Sequence, residues 1–187
     1  MELGPLNRAD GSSRWECEGT VVIVAVYGPV PVKTKQEQIE TATVVVQLES
    51  LSTPPSLVQN SMALKVQGLL EQVILGVLHP RSLITIAVQP VNVSSLEAAF
   101  PHIFNACVLA LLDAGIPLGS LPVAVEEDGL EAVYSFASDQ VKLLYQCLSG
   151  VEATMDELVQ RLESAQVRAQ KTLESIQQTI QQRHTSV

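Results

Sequence analysis

The chain has 187 residues, 47% of them hydrophobic, and carries 11 Lys and Arg against 20 Asp and Glu, a formal net charge of −9. This length fits one domain with a sizeable core. The excess of acidic residues excludes a broad surface that binds the phosphates of a nucleic acid. Only 4% of the residues are aromatic, which excludes a surface on which bases stack. The longest apolar runs, such as 21–27 and 108–112, fall far short of the roughly 20 residues that span a bilayer, so we expect no membrane contact.

The first part of the chain predicts β structure. Thr20–Tyr27 is rich in Val and Ile and runs into Gly28-Pro29, which indicates a strand followed by a turn. Thr41–Leu48 is a second β-branched run, and the polar segment Lys33–Glu40 before it is typical of a loop or hairpin connection. The two prolines of Leu51–Pro55 end the second strand.

Helical spacing follows. Four apolar residues recur at steps of four, three and four, which places them on one helical face: Val66, Leu70, Val73 and Val77. The pair His79-Pro80 ends this helix, because a residue before proline is disfavoured in the α region. Pro101–Ala114 predicts a buried helix that ends at Gly115, since glycine commonly follows the last helical turn.

Four further strands are predicted in the middle and second half of the chain. Leu83–Val88 is apolar on both faces and is therefore expected in the centre of a sheet. Leu121–Val125 is a short strand, and Val133–Ala137 and Val141–Leu148 are expected to be joined tightly at Ser138-Asp139-Gln140.

The end of the chain predicts a long amphipathic helix over 154–183. Thr154 and Glu157 have the spacing of a capping box. One apolar stripe recurs at steps of three and four while the other faces are polar: Leu158, Leu162, Ala165, Ala169, Leu173, Ile176 and Ile180. Because strands and helices alternate irregularly, we predict a single domain over 1–187 of the α/β (α+β) class with a mixed sheet.

Catalytic and metal-binding patterns are weak. The sequence has no Gly-rich phosphate loop, nucleophile elbow or paired-cysteine motif. His79, His102 and His184 are widely separated, and Cys107 lies in an apolar helix as a predicted core residue. The three cysteines are far apart and follow no signal peptide, which indicates a reducing, intracellular compartment.

Two clusters leave alternatives open. Glu126-Glu127-Asp128 could hold a divalent cation, but Gly129 follows directly and favours an exposed turn, so we predict no metal site and no cofactor. The run from Arg8 to Trp15 places two arginines around a Gly-Ser turn. Such a turn could hold a phosphate, or it could start a strand with arginines that pair with local acids.

Five segments, taken together, resemble the RNase PH family and within it the non-catalytic RNase PH-like subunits of the eukaryotic RNA exosome ring. They occur in order and cover most of residues 6–183: Arg8-Ala9-Asp10-Gly11-Ser12-Ser13, Gly19-Thr20 through Tyr27-Gly28-Pro29, Gly76-Val77-Leu78-His79-Pro80-Arg81, Ile84-Thr85-Ile86, and Asn105 to Pro117 with its Leu-Leu-Asp-Ala-Gly-Ile-Pro end. The resemblance implies a fold of the ribosomal protein S5 domain 2-like type and assembly in a six-membered ring around an RNA channel.

The resemblance also implies a lost active site. Active members bind phosphate through a Gly-Gly-Thr-Arg segment before the helix that matches Phe104–Ala114, and here the arginine position falls on Ala99, with Glu97 and Ala98 beside it. Alanine cannot replace an arginine fork. Active members carry an aspartate on the strand after the one matching Leu121–Val125; here that strand is missing or drastically shortened, either by a true deletion or by residues absent from the sequence.

The function implied is therefore that of a structural subunit, not an enzyme, that binds other RNase PH-like ring subunits and RNA in the nucleus, nucleolus and cytoplasm. Arg8, Arg14 and Arg81 are cations that flank turns in an acidic chain, and we predict that they contact RNA. The alternative is a homodimeric, metal-dependent hydrolytic nuclease acting on RNA or DNA, using acids such as Glu126. The apolar surplus also predicts self-association of the isolated chain, with a homodimer as one form.

Overall fold

The computed structural model describes residues 1–17, 19–33, 37–49, 56–93, 95–137, 140–148 and 154–185, of which 184 and 185 by their backbone alone. The chain divides into two compact units, Met1–Gly119 and Ser120–Val187. The first unit combines a sheet with two α-helices and the second a sheet with one, which confirms the predicted class. The single domain over 1–187 stays a prediction.

The first unit is built on a mixed five-stranded sheet. Its spatial order is β1-β2-β3-β5-β4. β4 and β5 are parallel, and the other neighbours are antiparallel. β5 lies between β3 and β4, so its predicted interior position is confirmed. The strands are β1 Glu2–Leu3, β2 Gly11–Cys17, β3 Thr20–Pro31, β4 Thr43–Leu48 and β5 Ser82–Asn92.

One strand end predicted in this unit was wrong. The strand from Thr20 does not end at Gly28-Pro29 but continues to Pro31, because a register shift between Tyr27 and Val30 absorbs the pair and the ladder with β5 resumes. Of the two alternatives for the polar segment after it, a loop or a hairpin connection, the described residues form a loop, since β5 separates β3 from β4 in the sheet. Residues 34–36 of that segment, like the predicted break at 51–55, lie outside the described residues.

The first helix, α1 (Leu57–Val73), begins at a capping box. Ser56 Oγ accepts the N–H of Gln59, and the Gln59 side chain accepts the N–H of Ser56. The helix ends at Val73, where the following residue is extended and bridges to Leu118. Val77, predicted on the same face, instead lies in a single 3₁₀ turn with its side chain 71% exposed, so that prediction was wrong.

The second helix, α2 (Phe100–Asp113), is buried on almost every side, as its apolar sequence predicts. It packs on β2 and β3, while α1 packs on β4. The strand residues that face this core alternate along β3 and β5, as in a sheet with one covered face: Val22, Val24, Val26, Ile84, Ile86 and Val88. Gly115 follows the helix with φ +69°, a left-handed conformation that suits glycine.

The second unit is an antiparallel three-stranded sheet with one long helix. β6 (Leu121–Glu127), β7 (Leu130–Ala137) and β8 (Gln140–Leu148) follow one another in space as in sequence. The helix α3, Met155–Thr185, packs on β6 and β7 and buries Ala165, Ala169 and Ile176 of its predicted stripe. The predicted turn at 138–139 lies outside the described residues. No helix in the described part of the chain is long and apolar enough to cross a membrane.

Candidate phosphate site and RNA-contact arginines

The glycine of the Asp-Gly-Ser segment lies where β2 presses against α2. A Cβ atom at Gly11 would come within 2.3 Å of the Ala114 nitrogen and 2.5 Å of the Ala110 oxygen. Both are backbone atoms at the C-terminal end of α2. Unlike the end of a flexible side chain, they cannot move aside to make room for a Cβ atom. The segment is therefore constrained by packing, and the position admits only glycine without a shift of the helix or the strand.

Two buried serines then bind the same strand to the same helix. The Ser12 N–H donates to Asp113 Oδ2 over 2.9 Å, and Ser13 Oγ donates to the Ala106 carbonyl over 2.7 Å. Ser12 Oγ also accepts the N–H of Leu6. These bonds satisfy polar groups that would otherwise be costly to bury. Asp113 belongs to the Leu-Leu-Asp-Ala-Gly segment, so two of the resembling motifs meet here.

The third motif joins the cluster through Asp10. Its Oδ2 accepts the N–H of Gly28 over 2.8 Å, and its own N–H donates to the Val26 carbonyl. Gly28 has φ +122°, and a Cβ atom there would lie 2.4 Å from the Leu83 oxygen. The signature segments thus hold β2, β3 and α2 together, a structural role that sequence reasoning did not assign to Asp10 or Asp113.

The N-terminal end of α2 is where the resemblance puts the phosphate site. Ala99 is the N-cap residue, is 2% exposed, and offers no side-chain hydrogen bond. Residues 95–99 read Ser-Leu-Glu-Ala-Ala and contain no cation. Lys65 of α1 approaches this end of the helix with its Nζ 3.7 Å from the centroid of the Phe100 ring, an arrangement that stabilises the cation on the ring face. No arginine fork is present in the segment.

The three arginines predicted to contact RNA lie at different places in the first unit. Arg8 is exposed in the loop before β2, Arg14 is exposed on β2, and Arg81 precedes β5 with φ +58°. Arg14 lies opposite Ile23 of β3, and Ser82, the residue after Arg81, lies opposite Pro31 of the same strand. Ile23 and Pro31 are eight residues apart. At about 3.3 Å per residue, Arg14 and Arg81 are roughly 25 Å apart and do not share one phosphate.

Two of these arginines already have acidic neighbours. Arg14 Nη2 lies 3.1 Å from Glu16 Oε2, and Arg81 Nε lies 3.4 Å from Glu37 Oε1. For the run from Arg8 to Trp15, one alternative left open was that its arginines pair with nearby acidic residues. Arg14 does so, through Glu16. Contact with RNA stays a prediction for all three.

The acidic cluster forms a turn. Asp128 and Gly129 have φ +46° and +78° and connect the paired residues Glu127 and Leu130, the two-residue geometry that Asp-Gly favours. Arg168 of α3 bonds the Glu126 carbonyl and the Glu127 carboxylate, while Arg161 bonds the Asp128 carbonyl. Within the described residues no three His, Cys, Asp or Glu side chains are grouped to hold a metal ion. β6 passes directly into β7, with no strand between them.

His102 and Cys107 both have structural surroundings. His102 Nδ1 accepts the indole N–H of the buried Trp15 over 3.1 Å, a contact that no sequence spacing indicated. Cys107 is fully buried, as predicted, and burial raises the pKa of its thiol far above the ordinary range. A buried neutral thiol is a poor nucleophile. The side chain of His184 lies outside the described residues.

Comparison with known proteins bears on both units. The model for domain 1 of the 3′ exoribonuclease family, RNase PH, matches residues 1–117. The exosome complex component rrp46 of Schizosaccharomyces pombe is 29% identical over 95% of this chain and 87% of its own length. The exosome complex exonuclease RRP46 homolog of Oryza sativa subsp. japonica is 36% identical over 65% of this chain, which spans half of that protein (50%).

Solved structures show the same fold. The crystal structure of rice (Oryza sativa) Rrp46 superposes with a TM-score of 0.80 at 26% identity, covering 95% of this chain and 91% of that one. A chain from the structure of the Archaeoglobus fulgidus exosome with RNA bound to the active site superposes with a TM-score of 0.70 at 13% identity. The match covers 93% of this chain and 86% of that one. At that identity the second match shows a shared fold alone.

Proposed function

We propose that this chain, which belongs to the RNase PH family of 3′ exoribonucleases, is a non-catalytic subunit of an RNA exosome ring. In this role it binds neighbouring RNase PH-like subunits and helps to guide RNA. The proposal is supported by the similarity, over most of the chain, to proteins named as exosome components and by the superposition on rice Rrp46.

The observation that carries the non-catalytic part is the N-terminal end of α2. Phosphorolysis requires a site that holds inorganic phosphate, and a guanidinium contributes a bidentate, charge-assisted contact that alanine lacks. The buried Ala99 stands at that position, the exposed Glu97 adds a negative charge nearby, and Lys65 is directed to the ring of Phe100. The arginine fork that would hold inorganic phosphate is therefore lacking at this helix end.

RNA contact, in this proposal, is local. A chain with net charge −9 provides few phosphate contacts of its own, so Arg8, Arg14 and Arg81 supplement those of neighbouring subunits along the RNA path. Assembly in the exosome places the chain in the nucleus, nucleolus and cytoplasm, where RNA is processed and degraded. No observation favours the alternative of a metal-dependent hydrolytic nuclease, since Glu127 and the backbone of the acidic turn are engaged by Arg161 and Arg168.

Reconstitution tests the proposal. The chain is co-expressed with RNase PH-like exosome subunits, and the complex is isolated through a tag on one of them; stoichiometric recovery in a six-membered ring is expected. Chain and ring are then incubated with RNA and inorganic phosphate, beside a family member that has arginine at the position of Ala99. No nucleoside diphosphate should be released by the chain. Failure to enter any ring refutes the assembly role, whereas phosphate-dependent release by the chain alone refutes the non-catalytic one.

A further inference from the structure

The side of the first sheet that faces away from α1 and α2 carries a shallow pocket. Side chains alternate between the two sides of a strand, so the residues between the buried valines and isoleucines of β3 and β5 point to this outward side. The floor of the pocket consists of two alanines that lie opposite each other, Ala25 of β3 and Ala87 of β5. Their short side chains leave a cavity of about 180 Å³ between longer neighbours.

Longer side chains form the walls of this pocket. Ile23 and Tyr27 lie two residues before and two residues after Ala25 on β3, which places their Cα atoms about 13 Å apart along the strand. Gln89 lies opposite Ile23, and beside it stands Glu49, which continues the pairing of β4 with β5 through its N–H. Glu49 and Gln89 therefore stand together at one end of the pocket, and Tyr27 stands at the other.

The pocket combines polar groups with a negative charge that no cation balances. Glu49, Gln89 and Tyr27, whose side chain is 41% exposed, line it, and no Lys, Arg or His is among the described residues around it. In the part of the chain that the structure describes, no cation lies within ion-pair distance of the Glu49 carboxylate. Glu16 and Glu37, in contrast, each pair with an arginine. The carboxylate of Glu49 is therefore available to a cation from outside the chain.

The size of the pocket decides which kind of ligand it can take. Pockets that enclose a drug-sized molecule have volumes of about 300–1,000 Å³, whereas this one has about 180 Å³ and gives room for a single side chain. A nucleic acid is disfavoured here, because the carboxylate of Glu49 repels phosphate. The size and the charge together indicate one cationic side chain of another protein.

Among cationic side chains, that of arginine matches the pocket best. Its planar guanidinium donates several hydrogen bonds at once, and the Glu49 carboxylate and the Gln89 amide oxygen accept them side by side. Its methylene groups pack on Ala25 and Ala87, since the stems of long cationic side chains commonly lie on apolar surface. We propose that this pocket binds an arginine side chain from a basic segment of a partner protein. The net charge of −9 also attracts such a segment.

Titration of the isolated chain with short peptides, followed by NMR, tests the proposal. The probe is an alanine–arginine–alanine peptide with blocked ends, for which a contact of this size gives an expected dissociation constant of about 1–10 mM. The amide signals of Ala25, Ala87 and Gln89 should shift. A peptide with citrulline keeps the shape of arginine but lacks its charge, and it should bind at least about threefold more weakly. A peptide with glutamate should not bind.

Two substitutions, each with a control, locate the binding. Glu49→Gln should weaken it by about three- to fivefold, as expected for a partly exposed ion pair, whereas Glu40→Gln removes the same charge from an exposed loop residue and should change nothing. Ala87→Leu fills the pocket and should abolish the shifts. Val45→Leu enlarges a side chain on the outward side of β4 but outside the pocket and should leave them intact.

Several outcomes would overturn the proposal. These are the absence of shifts at about 50 mM arginine peptide, well above the expected dissociation constant, equal binding of the citrulline peptide, and shifts confined to residues outside the pocket. Binding to Glu49→Gln as tight as to the wild type would do the same, and this variant decides the question even if Ala87→Leu does not fold. A chain that fails these tests can still enter the ring, so the inference stands or falls separately from the proposed function.

Discussion

The carboxylate of Asp10 accepts the backbone N–H of Gly28, eighteen residues further along the chain, over 2.8 Å. The bond ties the start of β2 to the point where the register of β3 shifts. Gly11, next in sequence to Asp10, packs against α2, and Ser12 and Ser13 bond the same helix. A short stretch of sequence thus positions two strands and a helix, which explains why the Asp-Gly-Ser and Tyr-Gly-Pro segments occur together.

Removing the Asp10 carboxylate should destabilise the first unit. Asp10→Ala deletes the hydrogen bond that the Asp10 carboxylate accepts from Gly28. Because Asp10 is exposed, we expect a loss of about 1 kcal/mol in the free energy of unfolding. Asp10→Asn retains an acceptor oxygen at the same position and should lose less. Urea denaturation followed by circular dichroism measures both. Equal losses for the two variants would mean that the carboxylate acts through its charge and not through Gly28.

Adding one methyl group at Gly11 should be far more damaging. The Cβ of Gly11→Ala would meet backbone atoms of Ala110 and Ala114 at 2.5 and 2.3 Å, so helix and strand must separate, at a cost of about 3 kcal/mol or more. Gly68→Ala is the matched control, because it adds the same group in open space inside a helix and should stabilise the dilute chain by about 1 kcal/mol. Similar effects at the two glycines would contradict the packing described for β2.

The sequence predicted those elements whose apolar pattern agrees with their position in the structure. α2 and α3 follow from an apolar run and an apolar stripe, each with a recognisable end. For β2 the sequence left a strand start open only as an alternative to a phosphate-binding turn, because Ser12 and Ser13 are both buried and so hide the alternation of a strand. Their burial depends on partners in α2, about a hundred residues away in sequence. At the candidate site, family resemblance indicated that Ala99 stands at the arginine position. The contacts of Lys65 with Phe100 and of Trp15 with His102 join residues far apart in sequence, so no local pattern indicates them.

Stability at alkaline pH should depend on Tyr134. Burial raises the pKa of its hydroxyl above the ordinary value, and the hydroxyl donates to the Leu162 carbonyl of α3 over 2.8 Å. The folded protein therefore keeps this proton at a pH where the unfolded chain loses it. The protonated Tyr134 hydroxyl therefore contributes its full share of the free energy of unfolding below about pH 10, and this share declines as the pH rises above that value.

Tyr134→Phe separates the two effects. At neutral pH the variant should lose about 1 kcal/mol, because the Leu162 carbonyl loses its donor. Above pH 10 its stability should fall less steeply than that of the wild type, since the raised pKa is gone. Urea midpoints at several pH values measure both slopes. Parallel curves for the two proteins would show that Tyr134 does not titrate differently in the folded and unfolded states.

Replacing Arg8, Arg14 and Arg81 together by alanine should weaken RNA binding by the reconstituted ring. Each phosphate contact that is lost lowers the slope of log affinity against log salt by about 0.7 for single-stranded RNA, so the slope should fall by up to about 2. Arg14 and Arg81 must first leave Glu16 and Glu37, which reduces their net contribution, so among the single variants Arg8→Ala should have the largest effect. Fluorescence anisotropy with labelled RNA at several salt concentrations measures affinity and slope together.

The control for this triple variant removes the same charge elsewhere. Lys142, Lys171 and Arg183 lie in the second unit, and their replacement by alanine also takes the net charge from −9 to −12. If long-range repulsion alone were responsible, both triple variants would bind RNA equally weakly. If the first three arginines contact phosphates, only their loss lowers the salt slope, because counterion release requires a direct contact. Unchanged affinity and slope in the Arg8, Arg14 and Arg81 variant would remove these residues from the RNA path.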